Sequence, residues 1–259
     1  MKRNILLIIS VVFSSILSMA SPLDEKADSA YTAEQYADAL ALYLKAAETE
    51  GTSSELYYNI GNTLYRQNKL GKAIVAYERA LRLDPTNADA RTNLEFVNSK
   101  IVDKVGERGT FFFNAMDSVT RIMTANTWAW TALVFFILTI AAIILYCFMS
   151  SIPLRKIGFF GGILTLFLCI LSSIFAFRGA SMAKSKNYAI VTVPSTILST
   201  SPRAPKNRTE EAMLLHEGTK MQIMDSVSSH SDSIASRWYD VEIDNNHRAW
   251  IKASDVEII

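Results

Sequence analysis

The spacing of apolar and polar residues changes twice along the 259-residue chain. In residues 21–107, apolar residues recur every three or four positions, a period typical of amphipathic α-helices. Residues 127–149 and 157–177 are continuous apolar runs without a charged residue. In residues 187–259, apolar and polar residues alternate, which predicts short β-strands. The pattern therefore predicts an all-α region, a pair of apolar helices and a small all-β region.

The helical region contains a helix–turn–helix pattern over residues 54–87. Its marked positions are small where two helices cross closely, aromatic beside those small residues, and proline where the unit ends. They are Tyr57, Ile60, Gly61, Leu64, Ala73, Tyr77, Ala80 and Pro85. This pattern resembles the tetratricopeptide repeat (TPR). The resemblance implies helical hairpins that stack and present a groove to another polypeptide.

A second copy of the pattern precedes the first, over about residues 20–53. Ala39, Tyr43 and Ala46 repeat the small–aromatic–small signature of the second helix. Gly51, an ordinary helix stop, stands where the closing proline is expected. The sequence therefore predicts two consecutive repeats.

Residues 88–105 predict one further helix, whose charged outer face is typical of a cap. Together these helices would form a TPR domain over residues 21–107. Because a stable stack usually needs about three repeats, two repeats are a minimal array. We therefore expect support from a partner or from a membrane.

The first helix of the second repeat supplies candidate partner-binding residues. They lie away from the signature positions and are Tyr58, Asn59, Asn62, Tyr65 and Arg66. Asparagine amides can bond an extended peptide backbone, and Arg66 can pair with a carboxylate. The matching places in the first repeat include Asp24 and Asp28, which argue against a clamp for a C-terminal carboxylate. The alternative is that these side chains form an ordinary solvated surface.

Residues 1–20 have the features of a secretory signal peptide. Lys2 and Arg3 precede an apolar run over residues 5–17, and small residues follow at the positions that a signal peptidase reads. The alternative is an uncleaved anchor helix. Both interpretations place the TPR domain on the far side of the membrane.

The two apolar runs predict a transmembrane hairpin. A run of 23 residues spans roughly 34 Å at a rise of ~1.5 Å per residue, which is enough for a bilayer core. Trp128, Trp130 and Tyr146 lie near the ends of the first run, as interfacial aromatic residues do. A buried hairpin of a soluble protein is the alternative.

Topology follows from the signal peptide and the loop charges. Residues 150–156 form the predicted cytoplasmic loop and contain Arg155 and Lys156, in agreement with the positive-inside rule. The TPR domain and residues 187–259 would then both be periplasmic, on a bacterial inner membrane. Residues 108–126 predict an amphipathic helix on the membrane surface. The rival interpretation is a last helix packed on the TPR domain.

Residues 187–259 resemble bacterial SH3-like domains. The resemblance rests on the Leu-His-Glu-Gly turn before a strand, on Trp238-Tyr239-x-Val241, and on Trp250-Ile251 followed by Asp255-Val256. It implies a small all-β barrel that binds cell-wall peptides or protein segments. Trp238 is the candidate groove aromatic, and the alternative is a domain that only acts as a scaffold.

The order of signal peptide, TPR, transmembrane hairpin and SH3-like domain resembles the TPR-bearing (BatE-type) Bat proteins encoded in the aerotolerance operons of Bacteroidetes. The resemblance implies an envelope scaffold that works with other Bat membrane proteins and a MoxR-type ATPase in aerotolerance or stress. The alternative function is a peptidoglycan-binding tether or sensor that uses the SH3-like domain.

The sequence offers little for catalysis, metals or nucleic acid. The 26 basic and 25 acidic residues are balanced, and no basic stripe suggests nucleic acid. His216, His230 and His247 are widely spaced and lack a ligand motif. Cys147 and Cys169 lie at different predicted membrane depths, which disfavours a disulfide. We therefore predict no enzyme activity, no cofactor and no metal.

Overall fold

A computed structural model describes residues 22–105, 109–228 and 237–259 of the chain. The predicted signal peptide over residues 1–20 lies outside these described residues. The helices are α1 (Pro22–Thr32), α2 (Tyr36–Thr49), α3 (Ser54–Arg66), α4 (Leu70–Leu83), α5 (Ala88–Lys100), α6 (Phe111–Thr120), α7 (Ala125–Phe148) and α8 (Ile152–Lys184). The strands are β1 (Tyr188–Val191), β2 (Ser195–Ser199), β3 (Glu211–His216), β4 (Lys220–Ser228), β5 (Arg237–Asp244), β6 (His247–Lys252) and β7 (Val256–Ile258).

Helices α1 to α4 form two helical hairpins, as the repeat pattern predicts, and α5 packs after them. In each hairpin the turn places one residue in the left-handed region, Glu34 with φ 59° and Asn68 with φ 58°, and these residues are equivalent in the two repeats. Ser53 and Asn87 accept hydrogen bonds from Leu56 N and Ala90 N, at 3.0 and 2.9 Å, and so start α3 and α5. Local sequence therefore fixes where these helices begin.

The signature residues pack at the centre of the helical region. A Cβ atom on Gly61 would lie 2.6 Å from the ring of Tyr77, so only glycine allows this close approach. Tyr43 and Tyr77 are almost fully buried. Each hydroxyl donates to the first helix of its own repeat, Tyr43 to Asp28 at 2.5 Å and Tyr77 to Asn62 at 2.7 Å. The two repeats thus use the same bond with different acceptors.

The predicted cap is shorter than expected, because α5 ends at Lys100 rather than at residue 105. The following residues leave the helix and turn towards the sheet. Ile101 lies against Gly218, and the carboxylate of Asp103 accepts a hydrogen bond from His216 N at 2.6 Å. Contacts with the sheet therefore replace the last predicted helical turn.

Helices α7 and α8 are long and apolar enough to cross a membrane by length and composition. Only 11% of the apolar stretch of each helix is buried. The helices approach closely at Gly158, where a Cβ would lie 2.7 Å from the carbonyl of Ala142. Thr139 donates to Thr165 at 2.9 Å across the pair. These contacts make α7 and α8 one hairpin whose outer surface is apolar.

Helix α8 is longer than the apolar run that predicted it, and it includes most of the predicted loop over residues 150–156. Pro153 lies in its first turn, where a missing N–H costs nothing. At its other end α8 continues past Arg178 to Lys184. A charged residue can end an apolar run without ending the helix, so the apolar run underestimates the length of the helix.

Helix α6 packs on the end of the apolar hairpin. Asp117 of α6 accepts from Arg178 Nε at 2.7 Å, and Trp128 Nε1 donates to the carbonyl of Thr120 at 3.1 Å. Phe111 and Phe112 of the same helix are 89% and 68% exposed. In the described residues these contacts join α6 to the apolar hairpin, and its position on a membrane surface stays a prediction.

The strands form one antiparallel sheet in the order β3-β2-β6-β5-β4-β1-β7. The expectation of a closed barrel is wrong, because no ladder joins β3 to β7 in the part of the chain that the structure describes. The three-residue strand β7 lies instead against α4. Arg79 donates to the carbonyl of Ile258 at 2.8 Å and pairs with Glu257 at 2.7 Å. Arg79 therefore bonds a backbone carbonyl of β7, the edge strand that would have to pair with β3 in a closed barrel.

The sheet packs directly on the helical region. Ile190 and Ile259 are buried in the same core cluster as the TPR helices. Glu217 accepts from the backbone N of Gly71 at 2.8 Å, and Lys220 pairs with Glu78 at 2.6 Å. The two regions that the sequence suggests as separate modules therefore share one interface, which we call the sheet interface.

Candidate functional site

The inner face of α1, α3 and α5 forms an open pocket of about 290 Å³. Rings from all three helices and the second helix of repeat two line it, together with two amides and one guanidinium. The lining residues are Tyr31, Tyr58, Asn62, Tyr65, Arg66, Tyr77, Asn93, Phe96 and Val97. We call this pocket the tyrosine groove.

Four of the five predicted partner-binding residues line the tyrosine groove. Tyr58, Asn62, Tyr65 and Arg66 come from one face of α3, as their spacing of three or four residues requires. Asn59 is half-buried outside the lining, and its carbonyl accepts a hydrogen bond from Thr63. The structure thus brings four of the candidates together and leaves Asn59 apart.

Other groove residues were not predicted. Tyr31 occupies the place in the first repeat that Tyr65 occupies in the second. Phe96 occupies the corresponding place to Asn62, one repeat length later, and Asn93 lies one turn before it. Shifting the α3 candidates by one repeat length in each direction would have found Tyr31 and Phe96, because equivalent positions face the same groove.

Asn62 organises the groove wall. Its Oδ1 accepts hydrogen bonds from the hydroxyl of Tyr77 at 2.7 Å and from Nδ2 of Asn93 at 2.8 Å. Burial raises the pKa of Tyr77 well above its ordinary value, so the hydroxyl stays protonated and available as this donor. Because Oδ1 is occupied twice, Asn62 can offer a ligand only its amide N–H groups, while Asn93 Oδ1 can accept.

Two cations at the groove rim are held by aromatic residues. Arg66 donates to the hydroxyl of Tyr36 at 2.5 Å and lies 5.1 Å from the centre of that ring. Lys100 donates to the hydroxyl of Tyr65 at 2.7 Å and lies 4.3 Å from the ring centre of Phe96. Cation–π contacts orient these groups without neutralising their charge. The rim is therefore suited to an anionic group of a ligand.

The acidic residues of repeat one act differently from what their sequence positions suggest. Neither Asp24 nor Asp28 lines the tyrosine groove. Asp28 accepts the hydroxyl proton of Tyr43, whose pKa is raised by burial and by this carboxylate. Glu34 approaches Arg66 at 3.8 Å, but both side chains are well exposed, so the pair is weak.

Trp238, the predicted aromatic of the SH3-like groove, is half-buried in β5. It lies opposite Val227 of β4 and Lys252 of β6. It does not line the tyrosine groove. Its proposed role in ligand binding stays a prediction.

No group of three or more potential metal ligands occurs in residues 22–105, 109–228 and 237–259. His216 contacts Asp103 at 2.9 Å, and His247 contacts Asp244 at 2.7 Å. His230 lies outside the described residues. In both described pairs the imidazole bonds a single carboxylate.

A comparison with protein families supports the repeat assignment. Residues 54–87 match the tetratricopeptide repeat family model. A search of curated proteins found no match to the chain. The match covers one repeat, and the typical role of such repeats is protein–protein interaction.

Proposed function

We propose that the chain is a membrane-anchored scaffold whose tyrosine groove binds an extended segment of a partner protein. The observation that carries this proposal is the open groove on the concave side of a matched repeat. The four accessible rings of the lining would contact apolar or aromatic side chains of the segment, while Tyr77 is buried behind them. The amides of Asn62 and Asn93 would bond its backbone.

Charge at the groove rim defines the partner further. Arg66 and Lys100 carry their charge over aromatic rings rather than against buried carboxylates. A bound segment with an acidic residue beside an apolar one would therefore match the groove. The interaction of exposed charges is screened by salt, so binding should weaken as ionic strength rises.

The apolar hairpin would be the anchor. Its exposed surface is apolar along two helices that are long enough to span a bilayer. Helix α8 ends at Lys184, and β1 starts at Tyr188, so a short connection joins the hairpin to the sheet. The tyrosine groove would thus lie close to the membrane, on the periplasmic face that the signal peptide predicts. Partners of the Bat and MoxR type remain part of this proposal.

A crosslinking experiment in native membranes tests the groove. A photoreactive residue at Tyr65 lies in the groove, and one at Glu48 lies on the exposed face of α2 as the control. We expect a specific protein adduct from position 65 that is absent from position 48 and is lost when Asn93 and Phe96 are replaced by alanine. Equal adducts from both positions, or an adduct unaffected by the alanine replacements, would contradict the proposal.

A further inference from the structure

A second groove lies between α6 and α8 and has a volume of about 560 Å³. Its walls are apolar along most of their length, with one guanidinium and one hydroxyl at the end nearest the sheet. The lining residues are Met116, Cys169, Ile170, Ser173, Ile174, Phe177, Arg178 and Ser181. We call it the hairpin groove.

The hairpin groove follows one face of α8. Ile170, Ile174, Phe177 and Ser181 recur at three or four residues, so their side chains are stacked along the helix. Twelve residues separate the two ends of this lining, which corresponds to about 18 Å along the helix axis. That length covers more than half of a bilayer core that is roughly 30 Å thick. The groove thus matches one leaflet in depth.

Its two ends differ in polarity. The end at Cys169 and Ile170 is apolar and lies within the uncharged run. The other end holds Arg178, which bonds the carboxylate of Asp117 through Nε at 2.7 Å. Lys184 follows Phe177 by seven residues, lies on the same face and is exposed. An amphiphile with an anionic head and an apolar tail would match this order of side chains.

The charge of the whole segment points the same way. Residues 109–187 contain six basic residues and one acidic residue, Asp117. On the sheet side of the hairpin the basic residues are Arg121, Arg178, Lys184 and Lys186. One carboxylate cannot neutralise four cations, so this end of the hairpin is positively charged. Basic groups beside a membrane attract anionic lipid headgroups.

We propose that the hairpin groove binds an anionic phospholipid, with an acyl chain along Ile170 to Phe177 and the phosphate near Arg178 and Lys184. This inference rests on the proposed membrane anchoring of the chain. The free donors of Arg178 and the Lys184 ammonium would bond the phosphate oxygens. The exposed rings of the groove and of α6 would contact the lipid chain and the interface.

The first test compares two bulky substitutions in the full chain. Ile170 lines the groove, while Val134 of α7 does not, and both are 53% exposed. Their depth is matched, because Thr139 bonds Thr165 and Ala125 lies beside Gly179, which sets Val134 level with Ile170. After reconstitution in nanodiscs that contain phosphatidylglycerol and phosphatidylcholine, lipids retained on detergent extraction are counted by native mass spectrometry.

We expect the wild-type chain to retain phosphatidylglycerol over phosphatidylcholine, Ile170→Trp to lose about tenfold in retention, and Val134→Trp to retain it unchanged. Equal retention of the two lipids by the wild type, or equal behaviour of the two tryptophan variants, would overturn the proposal. Loss of a copurifying protein instead of a lipid from Ile170→Trp would assign the groove to a partner helix and also overturn it.

The second test uses the sign of a charge effect. Asp117→Asn keeps an acceptor for Arg178 but removes the opposing charge, so retention of phosphatidylglycerol should rise, while Lys184→Gln should lower it. If the Asp117–Arg178 pair were merely structural, retention of phosphatidylglycerol would not rise in Asp117→Asn. Unchanged or lower retention in this variant would therefore count against the proposal.

Resistance of the chain to alkaline extraction from membranes reports on anchoring separately. Anchoring without lipid selectivity would reject the lipid site alone, whereas alkaline release of the chain would reject the anchoring proposal.

Discussion

Two faces of the helical region differ in exposure. The sheet covers the face at α4, whereas the tyrosine groove is open. At the covered edge, Glu78 pairs with Lys220 and Arg79 pairs with Glu257. In the groove, the charge of Arg66 lies over an aromatic ring. On the covered face each of these charges is paired with an opposite charge of the sheet, whereas Arg66 on the open face has only the weak, exposed contact with Glu34.

Packing of the sheet accounts for a helical core that is built on two repeats. A TPR stack of two repeats leaves its last layer incomplete. Here the sheet completes it, because Ile190 and Ile259 enter the helical core. The sheet interface thus supplies the support that the sequence led us to expect from a partner or a membrane.

The largest predicted effect comes from the sheet interface at Gly218. Its φ is +92°, and a Cβ there would lie 2.5 Å from Ile101 and 2.9 Å from Ile74. We expect Gly218→Ala to lower the free energy of unfolding by about 2–5 kcal/mol, because left-handed strain and overpacking add. Denaturant unfolding of the full chain in detergent, followed by tryptophan fluorescence, measures this change.

Gly51 provides the matched control for Gly218. It has a similar φ of +97°, but nothing lies within 4 Å of its added Cβ. Gly51→Ala should therefore cost only the strain, about 1–2 kcal/mol. The difference between the two variants reports packing at the sheet interface. If both variants lose the same stability, the helices and the sheet do not pack as described.

Asp103 should give the next largest effect. Its carboxylate accepts from the backbone N and the imidazole of His216, and from the hydroxyl of Thr219 at 2.6 Å. We expect Asp103→Asn to cost about 1.5–3 kcal/mol, because charge-assisted bonds are lost. Hydrogen exchange should increase in β3 and β4 and at the end of α5, and exchange confined to the mutated residue would contradict this.

Stability at low pH tests the same carboxylate of Asp103. Burial alone would raise the pKa of Asp103, but hydrogen bonds from Thr219 and His216 outweigh it and hold the pKa below its ordinary value of 3.8. A lowered folded pKa gives stability that is present above pH 3.8 and is lost as the pH falls further. The wild type should therefore lose stability below this pH more steeply than Asp103→Asn.

Local signals made the repeats predictable from sequence. Gly61 and Tyr77 stand at a fixed sequence spacing in a known pattern. Ser53 and Asn87 each directly precede a helix and accept a hydrogen bond from the backbone N three residues later. Four of five groove candidates follow from the spacing on α3 alone. Such features depend on neighbours within one or two helices, so a single sequence carries them.

The sheet interface was not predictable in the same way. Glu78 and Lys220 are 142 residues apart, and Arg79 and Ile258 are 179 apart. A charged residue on a helix or a strand is typical of a solvated face. The neighbouring sequence gives no indication of a partner that lies so far away along the chain. The open sheet was not predicted for the same reason. Alternation of apolar and polar residues predicts strands, but the contact of β7 with α4 is a long-range feature that alternation does not encode.

The hydroxyls of the two buried tyrosines make equivalent hydrogen bonds to different acceptors in the two repeats. Tyr43 donates to the carboxylate of Asp28 and Tyr77 to the amide of Asn62. Tyr77→Phe should cost about 0.5–1.5 kcal/mol, and Tyr43→Phe about 1.5–3 kcal/mol, because a bond to a charged acceptor is stronger. Unfolding of the two variants at pH 7 measures the difference. Equal costs would mean that Asp28 gains nothing from its charge.

Stability at high pH tests the burial of the Tyr77 hydroxyl. Burial raises the pKa of Tyr77 above its ordinary value of 10.0, so the stability from its neutral form is complete below pH 10 and is lost above it. The wild type should lose stability above pH 10 more steeply than Tyr77→Phe does. Parallel curves for the two proteins would contradict the burial of this hydroxyl.

The smallest effect separates two arginines that both lie near a tyrosine ring. Arg66 is 5.1 Å from the ring centre of Tyr36, and Arg79 is 5.9 Å from that of Tyr57. Arg79 also bonds β7, so Arg79→Gln should cost about 1 kcal/mol, whereas Arg66→Gln should stay within about 0.5 kcal/mol. Partner binding should show the reverse order, with Arg66→Gln weakening crosslinking at position 65 and removing part of its salt dependence. An Arg79→Gln variant that lost the partner while Arg66→Gln kept it would place the binding surface at the covered edge instead of in the tyrosine groove.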